Sequence, residues 1–169
     1  MASAPWEPPV KVYSMPNTYH QIYLHFVFAV KYRQSLIQKE YKEDLHRYIT
    51  GLVQNRKAKM LAVHCMPDHA HIFVGFHPSV NISDFVKEIK VESNEFLNRQ
   101  PWLKHKFAWQ NGYGVFSYSR SSIDSVIKYI LNQEAHHKKK TFESEYQALL
   151  EVFGVEYDKK YLFEFFEEG

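Results

Sequence analysis

Cysteine is nearly absent: Cys65 stands alone among 169 residues. No disulfide can form within the chain, and a reducing cytoplasm is the expected compartment. No apolar run approaches the roughly 18 residues that a membrane span requires. The first residues carry Pro5, Pro8, Pro9 and Pro16 where a secretory signal would carry an apolar stretch, which excludes such a signal. No internal repeat or low-complexity tract is present. What is plentiful is aromatic: 13 Phe, 12 Tyr and 3 Trp make 17% of the chain, within 45% apolar residues overall. That much apolar surface must be buried, so a chain disordered throughout is excluded.

The net charge of +2 hides an asymmetry. From Thr141 onward eight acids face two bases, a balance of −6, which leaves +8 for the first 140 residues. A basic body with an acidic tail points to a polyanionic partner, most simply nucleic acid, although a solvated surface with a solubilising tail has the same signature.

Ile22, Leu24, Phe26, Phe28 and Val30 alternate with period two and predict a half-buried strand. Tyr41, Leu45, Tyr48, Ile49, Leu52 and Val53 follow at helical spacing. Lys59 to Met66 reads as a second strand, Pro67-Asp68 as a tight turn, and His69 to Phe76 as a third strand, so these two form an antiparallel hairpin. Ile82, Phe85, Val86, Ile89, Ser93, Phe96 and Leu97 trace one face of a helix that Asn81 or Ser83 caps. Phe107 to Ser119 reads as a strand broken by Gly112 and Gly114. Ser121 with Asp124 resembles a capping box for a helix striped by Ile123, Val126, Ile127, Ile130 and Leu131. A last helix is expected from about Phe142 to Val152. The first six elements spell β-α-β-β-α-β, the split βαβ pattern. The expected fold class is α+β: a ferredoxin-like four-stranded antiparallel sheet with helices on one face, the other face open, plus C-terminal helices. The expected division is an arm over residues 1–17, a body over 18–140 and an acidic helix and tail over 141–169.

On the third strand Ala70, Ile72, Val74 and Phe76 share one side, and His69, His71 and Phe73 the other. With the apolar set against the helices, His69 and His71 stand about 7 Å apart along the strand on the open face. Neutral imidazoles at i and i+2 suit a shared divalent metal, although two unrelated surface histidines would look the same. On the third helix Tyr129 and Gln133, at i and i+4, share a face clear of the isoleucine stripe, with His136 near the same line. A metal pair, a tyrosine and a basic body together suit phosphodiester transesterification by a tyrosine hydroxyl, with Gln133 offering a third ligand. Ionising an ordinary tyrosine at pH 7 costs about 4 kcal/mol, and no general base is evident. Cys65 reads as core. Phe116 also reads as core before it reads as a base-stacking residue, and Tyr113 could stack a base. His136-His137 with Lys138 to Lys140 is either a phosphate-contacting patch or a solvated helix end.

The chain resembles the single-tyrosine HUH transposases of the insertion-sequence 200/605 type over roughly His20 to His137. The resemblance is carried by Met66-Pro67-Asp68-His69-Ala70-His71-Ile72-Phe73-Val74, by Trp109-Gln110-Asn111-Gly112-Tyr113-Gly114-Val115-Phe116-Ser117, and by Val126-Ile127-Lys128-Tyr129-Ile130-Leu131-Asn132-Gln133. Lys31-Tyr32-Arg33 adds to it. It implies His69 and His71 as the metal pair, Gln133 as third ligand, Tyr129 as nucleophile, and Mg2+ or Mn2+ as cofactor. It also implies a homodimer with active sites shared between subunits, acting on single-stranded DNA hairpins through a covalent phosphotyrosine. Lys31, Arg33, Arg120 and His136 are the expected DNA contacts, and neither a membrane nor a small-molecule substrate is expected. The proline-rich start and the acidic tail after about Lys140 fall outside the pattern. They leave room for a host-adopted relative acting on repeated palindromes. A non-catalytic single-strand-binding module is the competing class, but the aromatic signature of an RNA-recognition domain is missing. Relaxases usually place the tyrosine before the histidine pair, and here it follows.

Overall fold

The alternation in β1 (Tyr23–Ala29) sends Leu24, Phe26 and Phe28 to one side and Tyr23, His25, Val27 and Ala29 to the other. The computed structural model describes residues 18–163, so the arm expected over residues 1–17 lies outside the described residues. After β1 come α1 (Lys42–Gln54), β2 (Lys59–Met66), β3 (His69–Gly75), α2 (Ile82–Asn98) and β4 (Gly114–Tyr118). The C-terminal part holds α3 (Ile123–Leu131), α4 (Gln133–His137), α5 (Phe142–Val152) and the short α6 (Lys159–Leu162). The strands lie in the order β2-β3-β1-β4, and every neighbouring pair is antiparallel. This is the order that two interlocked βαβ units require, as the element pattern predicts.

On one face α1 and α2 pack Leu45, Ile49, Val53, Phe85, Val86 and Ile89 against Phe26, Phe28, Ala70, Ile72 and Val74. Burial of each such side chain contributes about 1.5–3 kcal/mol. Asn81 caps α2 by accepting a hydrogen bond from the Asp84 N–H at 3.0 Å.

The second face is not open. Ile123, Val126 and Ile130 of α3 pack on Tyr23, Ala62 and Phe73, and Phe142 and Leu150 of α5 pack with Val27, Ala29 and Phe116. Coverage on both sides buries all seven residues of β1, where a half-buried strand was expected. Phe116 is core, its ring 4.9 Å from that of Phe153.

Two local expectations change. The ladder of the last strand covers only Gly114–Tyr118, with one isolated bridge between Val30 and Trp109. Upstream, α2 takes the backbone groups a sheet neighbour would use. The Asn98 side chain pairs with both the N–H and the carbonyl of Phe107 at 2.7 and 2.9 Å, and the Lys90 ammonium donates to the Gln110 carbonyl at 2.7 Å. Gly112, at φ 82°, turns the chain in a conformation that suits glycine. The capping box of Ser121 and Asp124 does not form, because a 3-10 turn over Arg120–Ser122 precedes α3 and the Ser121 hydroxyl pairs with that of Ser119 at 2.8 Å.

Cys65 is buried, and its N–H donates to His46 Nε2 at 2.8 Å. Burial pushes its thiol up to about 12, leaving roughly one thiolate in 10⁴ at pH 8. Iodoacetamide at pH 8 should therefore leave the folded chain unmodified for hours and label it within minutes in denaturant. Rapid labelling of the native chain would contradict this packing. No helix among the described residues is long and apolar enough to cross a membrane.

Candidate active site

The hairpin turn at Pro67-Asp68 sets the register of β3, and the strand's alternation turns His69 and His71 away from α1 and α2. Their rings are 5.1 Å apart, and both are buried. Each imidazole is held through its Nδ1. His69 Nδ1 donates to the Asp68 carboxylate at 2.7 Å, and His71 Nδ1 lies 2.8 Å from Nε2 of the fully buried His25 on β1. Partners of this kind leave Nε2 of each ring aimed into the site and keep the ring from rotating. His69 Nε2 has no hydrogen-bond partner although it is buried. Burial lowers the His69 pKa to about 4, against the raising effect of Asp68. The ring is therefore neutral at pH 7 with a lone pair on Nε2. An orphaned neutral nitrogen in a buried polar cluster fits a metal ligand better than a structural histidine.

Tyr129 reaches this point from the same chain. The resemblance implied sites shared between subunits. Instead Ser119 is extended, the 3-10 turn redirects the chain, and α3 runs back across the sheet over β2 and β3. The Tyr129 ring lies edge-on to His71 with centroids 6.0 Å apart. Tyr129 thus meets the histidine pair of its own chain. The helix expected to continue through Gln133 breaks at Asn132, with φ −96° and ψ 19°. The break starts α4, which turns Gln133, His136 and His137 toward the histidine pair.

The centre of the cluster is Glu145, which the sequence reading passed over as one acid of the tail. It stands in the first turn of α5, whose N-terminus Thr141 caps by accepting from the Ser144 N–H. It is 2% exposed. Its two oxygens divide the site. Oε1 lies 3.1 Å from His71 Nε2, 3.2 Å from His137 Nε2 and 3.7 Å from His69 Nε2. Oε2 accepts hydrogen bonds from the Tyr129 hydroxyl and, at 3.0 Å, from the Gln133 amide, with His136 Nε2 at 3.1 Å. Gln133 Oε1 in turn lies 2.9 Å from His137 Nε2. The Phe142 ring stacks on His69 at 3.9 Å and closes that side.

The electrostatics follow from this geometry. Burial alone would raise the Glu145 pKa, but hydrogen bonds from His137 and His71 hold it far below the carboxylate range. Burial raises the Tyr129 pKa, and the Glu145 charge beside the phenol raises it further. Burial lowers His137, yet the Glu145 carboxylate outweighs it and the net shift is upward. With the carboxylate uncompensated, the phenol stays protonated. A cation held by this cluster would offset that charge. Ligand atoms of His69, His71, His137 and Glu145 lie within 4.8 Å of one another, so the donor set fits one divalent metal.

Tyr129, His69, His71, Gln133 and His136, all named from the sequence, are therefore brought together. The expected DNA contacts elsewhere are not part of this cluster. Arg33 lies 3.5 Å from Glu143 and over the Phe163 ring, Lys31 lies over the Tyr32 ring at 5.3 Å, and Arg120 stands exposed at the junction of β4 and α3. Tyr32 and Arg33 both adopt left-handed backbone conformations, φ 57° and 54°, and Tyr32 is 39% exposed. Glu145 and His25 were missed as site residues, and His137 was weighed only as part of a phosphate-contacting patch. One readable signal was the spacing Phe142, Glu145, Leu149, which puts the acid on the apolar stripe of its helix.

The family described as "Transposase IS200 like" matches residues 18–133, more than half of the chain. The ISDra2 transposase TnpA of Deinococcus radiodurans is 26% identical over 125 residues, which cover 71% of this chain and 87% of that protein. The transposase of insertion sequence element IS200 from Salmonella typhimurium is 27% identical over 128 residues, 72% of this chain and 84% of that one. In fold, the chain is similar to a solved protein of Deinococcus radiodurans R1 described as a transposase, with TM-score 0.56 and 24% identity over 72% of this chain and 98% of that chain. It is also similar to a REP-associated tyrosine transposase bound to a REP hairpin, with TM-score 0.55 and 17% identity over 75% of this chain and 74% of that one.

Proposed function

The chain belongs to the IS200-like transposase family, and we propose that it cuts and rejoins single-stranded DNA beside hairpins, with Tyr129 as the nucleophile. The Tyr129 oxygen bonds to phosphorus while the bond from phosphorus to the 3′-oxygen breaks, giving a 5′-phosphotyrosine and a free 3′-hydroxyl. Rejoining is the reverse attack by a 3′-hydroxyl. A divalent cation held by His69 and His71, with Gln133 beside them and Mg2+ or Mn2+ as the expected ions, would supply polarisation of a phosphate oxygen and orientation of the leaving oxygen. The observation that carries this reading is that the Tyr129 hydroxyl and His71 Nε2 meet on one carboxylate, Glu145. Nucleophile and metal pair are within one residue of each other.

The basic body supports a polyanionic substrate, and the left-handed turn at Tyr32 and Arg33, with Tyr32 exposed, supports a contact with it. A hairpin substrate, on either a mobile element or a repeated palindrome, is in keeping with the hairpin bound by the REP-associated structural neighbour.

The first experiment is incubation of the purified chain with labelled single strands carrying palindromes, in Mg2+ or Mn2+, followed by denaturing electrophoresis. A label that stays on the protein after denaturation is expected. Tight binding without any adduct would assign the chain to the non-catalytic binding class. A second experiment addresses assembly. Tyr129→Phe and His69→Ala chains, each inactive alone, should stay inactive when mixed, because the site is complete within one chain. Recovery of cleavage on mixing would restore the shared site.

A further inference from the structure

We propose that Glu145 is itself a metal ligand through Oε1 and that His137 joins it, so that the cation is held by His69, His71, His137 and Glu145. This rests on reading His69 and His71 as a metal pair. It replaces Gln133 with two residues that lie beyond residue 133, where the family match ends.

Four observations carry it. First, Oε1 and the Nε2 atoms of His69, His71 and His137 converge within 4.8 Å of one another, a spread that modest side-chain adjustment closes around one ion. Second, the carboxylate is sided: Oε1 faces the three imidazoles, and Oε2 faces Tyr129, Gln133 and His136. One carboxylate can thus bind the ion with one oxygen and hold the nucleophile with the other. Third, both ends of the Gln133 amide are engaged, its oxygen beside His137 and its nitrogen donating to Glu145. Gln133 therefore contacts both proposed ligands, and His137 Nε2 must release its hydrogen bond to the amide oxygen when it takes the ion. Fourth, Glu145 is 2% exposed, and its ion-pair partners are histidines. A buried carboxylate requires a compensating charge, and a divalent cation supplies it.

The donor set also selects the ion. Three imidazole nitrogens and one carboxylate oxygen suit first-row transition metals, whereas Mg2+ favours all-oxygen coordination and keeps its waters. The site should therefore take Mn2+ in preference to Mg2+.

The test uses the full chain, stripped with chelator and titrated with Co2+ by visible absorption, with Mn2+ and Mg2+ as competitors. Wild type should bind Mn2+ at least about tenfold more tightly than Mg2+. Glu145→Gln and His137→Ala should each weaken Co2+ and Mn2+ binding at least about tenfold and change the Co2+ band envelope. Gln133→Ala should weaken binding less, by about threefold. If Glu145→Gln fails to fold by circular dichroism, Glu145→Asp keeps the charge but withdraws the oxygen by one methylene, and it should still lose affinity. Wild-type affinity in the folded Glu145 variant overturns the proposal. So does a larger loss in Gln133→Ala than in Glu145→Gln. Tighter hairpin binding and faster cleavage by Glu145→Gln would also overturn it, since the carboxylate would then be occupying the phosphate's place. Failure of the wild type to form any DNA adduct would end the functional reading but leave the Co2+ titration intact. Normal metal affinity in Glu145→Gln, with adduct formation still sensitive to chelator, would end this inference alone.

Discussion

Replacing Tyr129 by Phe should abolish the denaturation-resistant adduct, with cleavage falling by a factor on the order of 10⁴ or more, while hairpin affinity stays within about threefold. Only the attacking oxygen is lost, and the ring keeps its place against His71 and His136. The substitution also removes a hydrogen bond to a buried carboxylate. That costs about 1.5–3 kcal/mol of stability at most, because Gln133 and the histidines still surround Glu145. A lowered melting temperature with intact binding and no adduct is the expected combination. An undiminished adduct would move the nucleophile to another residue, with Tyr113 and Tyr118 the first to examine.

Stripping the metal should have an effect of similar size. Cleavage should stop in excess chelator and return on adding Mn2+. His69→Ala and His71→Ala should each lose on the order of 10²-fold or more in cleavage at saturating hairpin. The two variants should differ in stability. His71 links His25 to Glu145, so its removal leaves a buried imidazole and a buried carboxylate each short of a partner. His69 Nε2 has no hydrogen bond to lose, so its removal gives up the Nδ1 contact with Asp68 and the stacking on Phe142 but leaves no second buried polar group without its hydrogen bond. His71→Ala should therefore melt at the lower temperature. Cleavage that is indifferent to chelator would make the pair structural.

Much of this site was legible before any coordinates. Period two in β3 is enough to put His69 and His71 on one side and Ala70, Ile72 and Val74 on the other, because a strand has only two faces. The i, i+4 relation of Tyr129 and Gln133 is equally local, although the break at Asn132 divides them between two helices. The order of strands follows from two short βαβ units, which have few ways to interlock. The last strand was overextended because Asn94, Asn98 and Lys90 of α2 satisfy the backbone from Phe107 to Gly112, a competition that local propensity does not register.

The sequence by itself determined the histidine pair, the tyrosine, the ferredoxin-like core and the basic body, because each depends on spacing within one element or on composition. Only the tertiary structure decided that the second face of the sheet is covered, that the tyrosine meets the histidines of its own chain, and that Glu145 stands among them. Those facts depend on where α3 and α5 dock after their connections, a long-range choice made by Ile123, Val126, Ile130, Phe142 and Leu150 burying against Phe73, Val27 and Phe116. An acid in an acidic tail reads as a solvated charge until the chain folds back. Once α5 is docked, Glu145 has no water to face, and the histidines and the tyrosine hydroxyl are what solvate it.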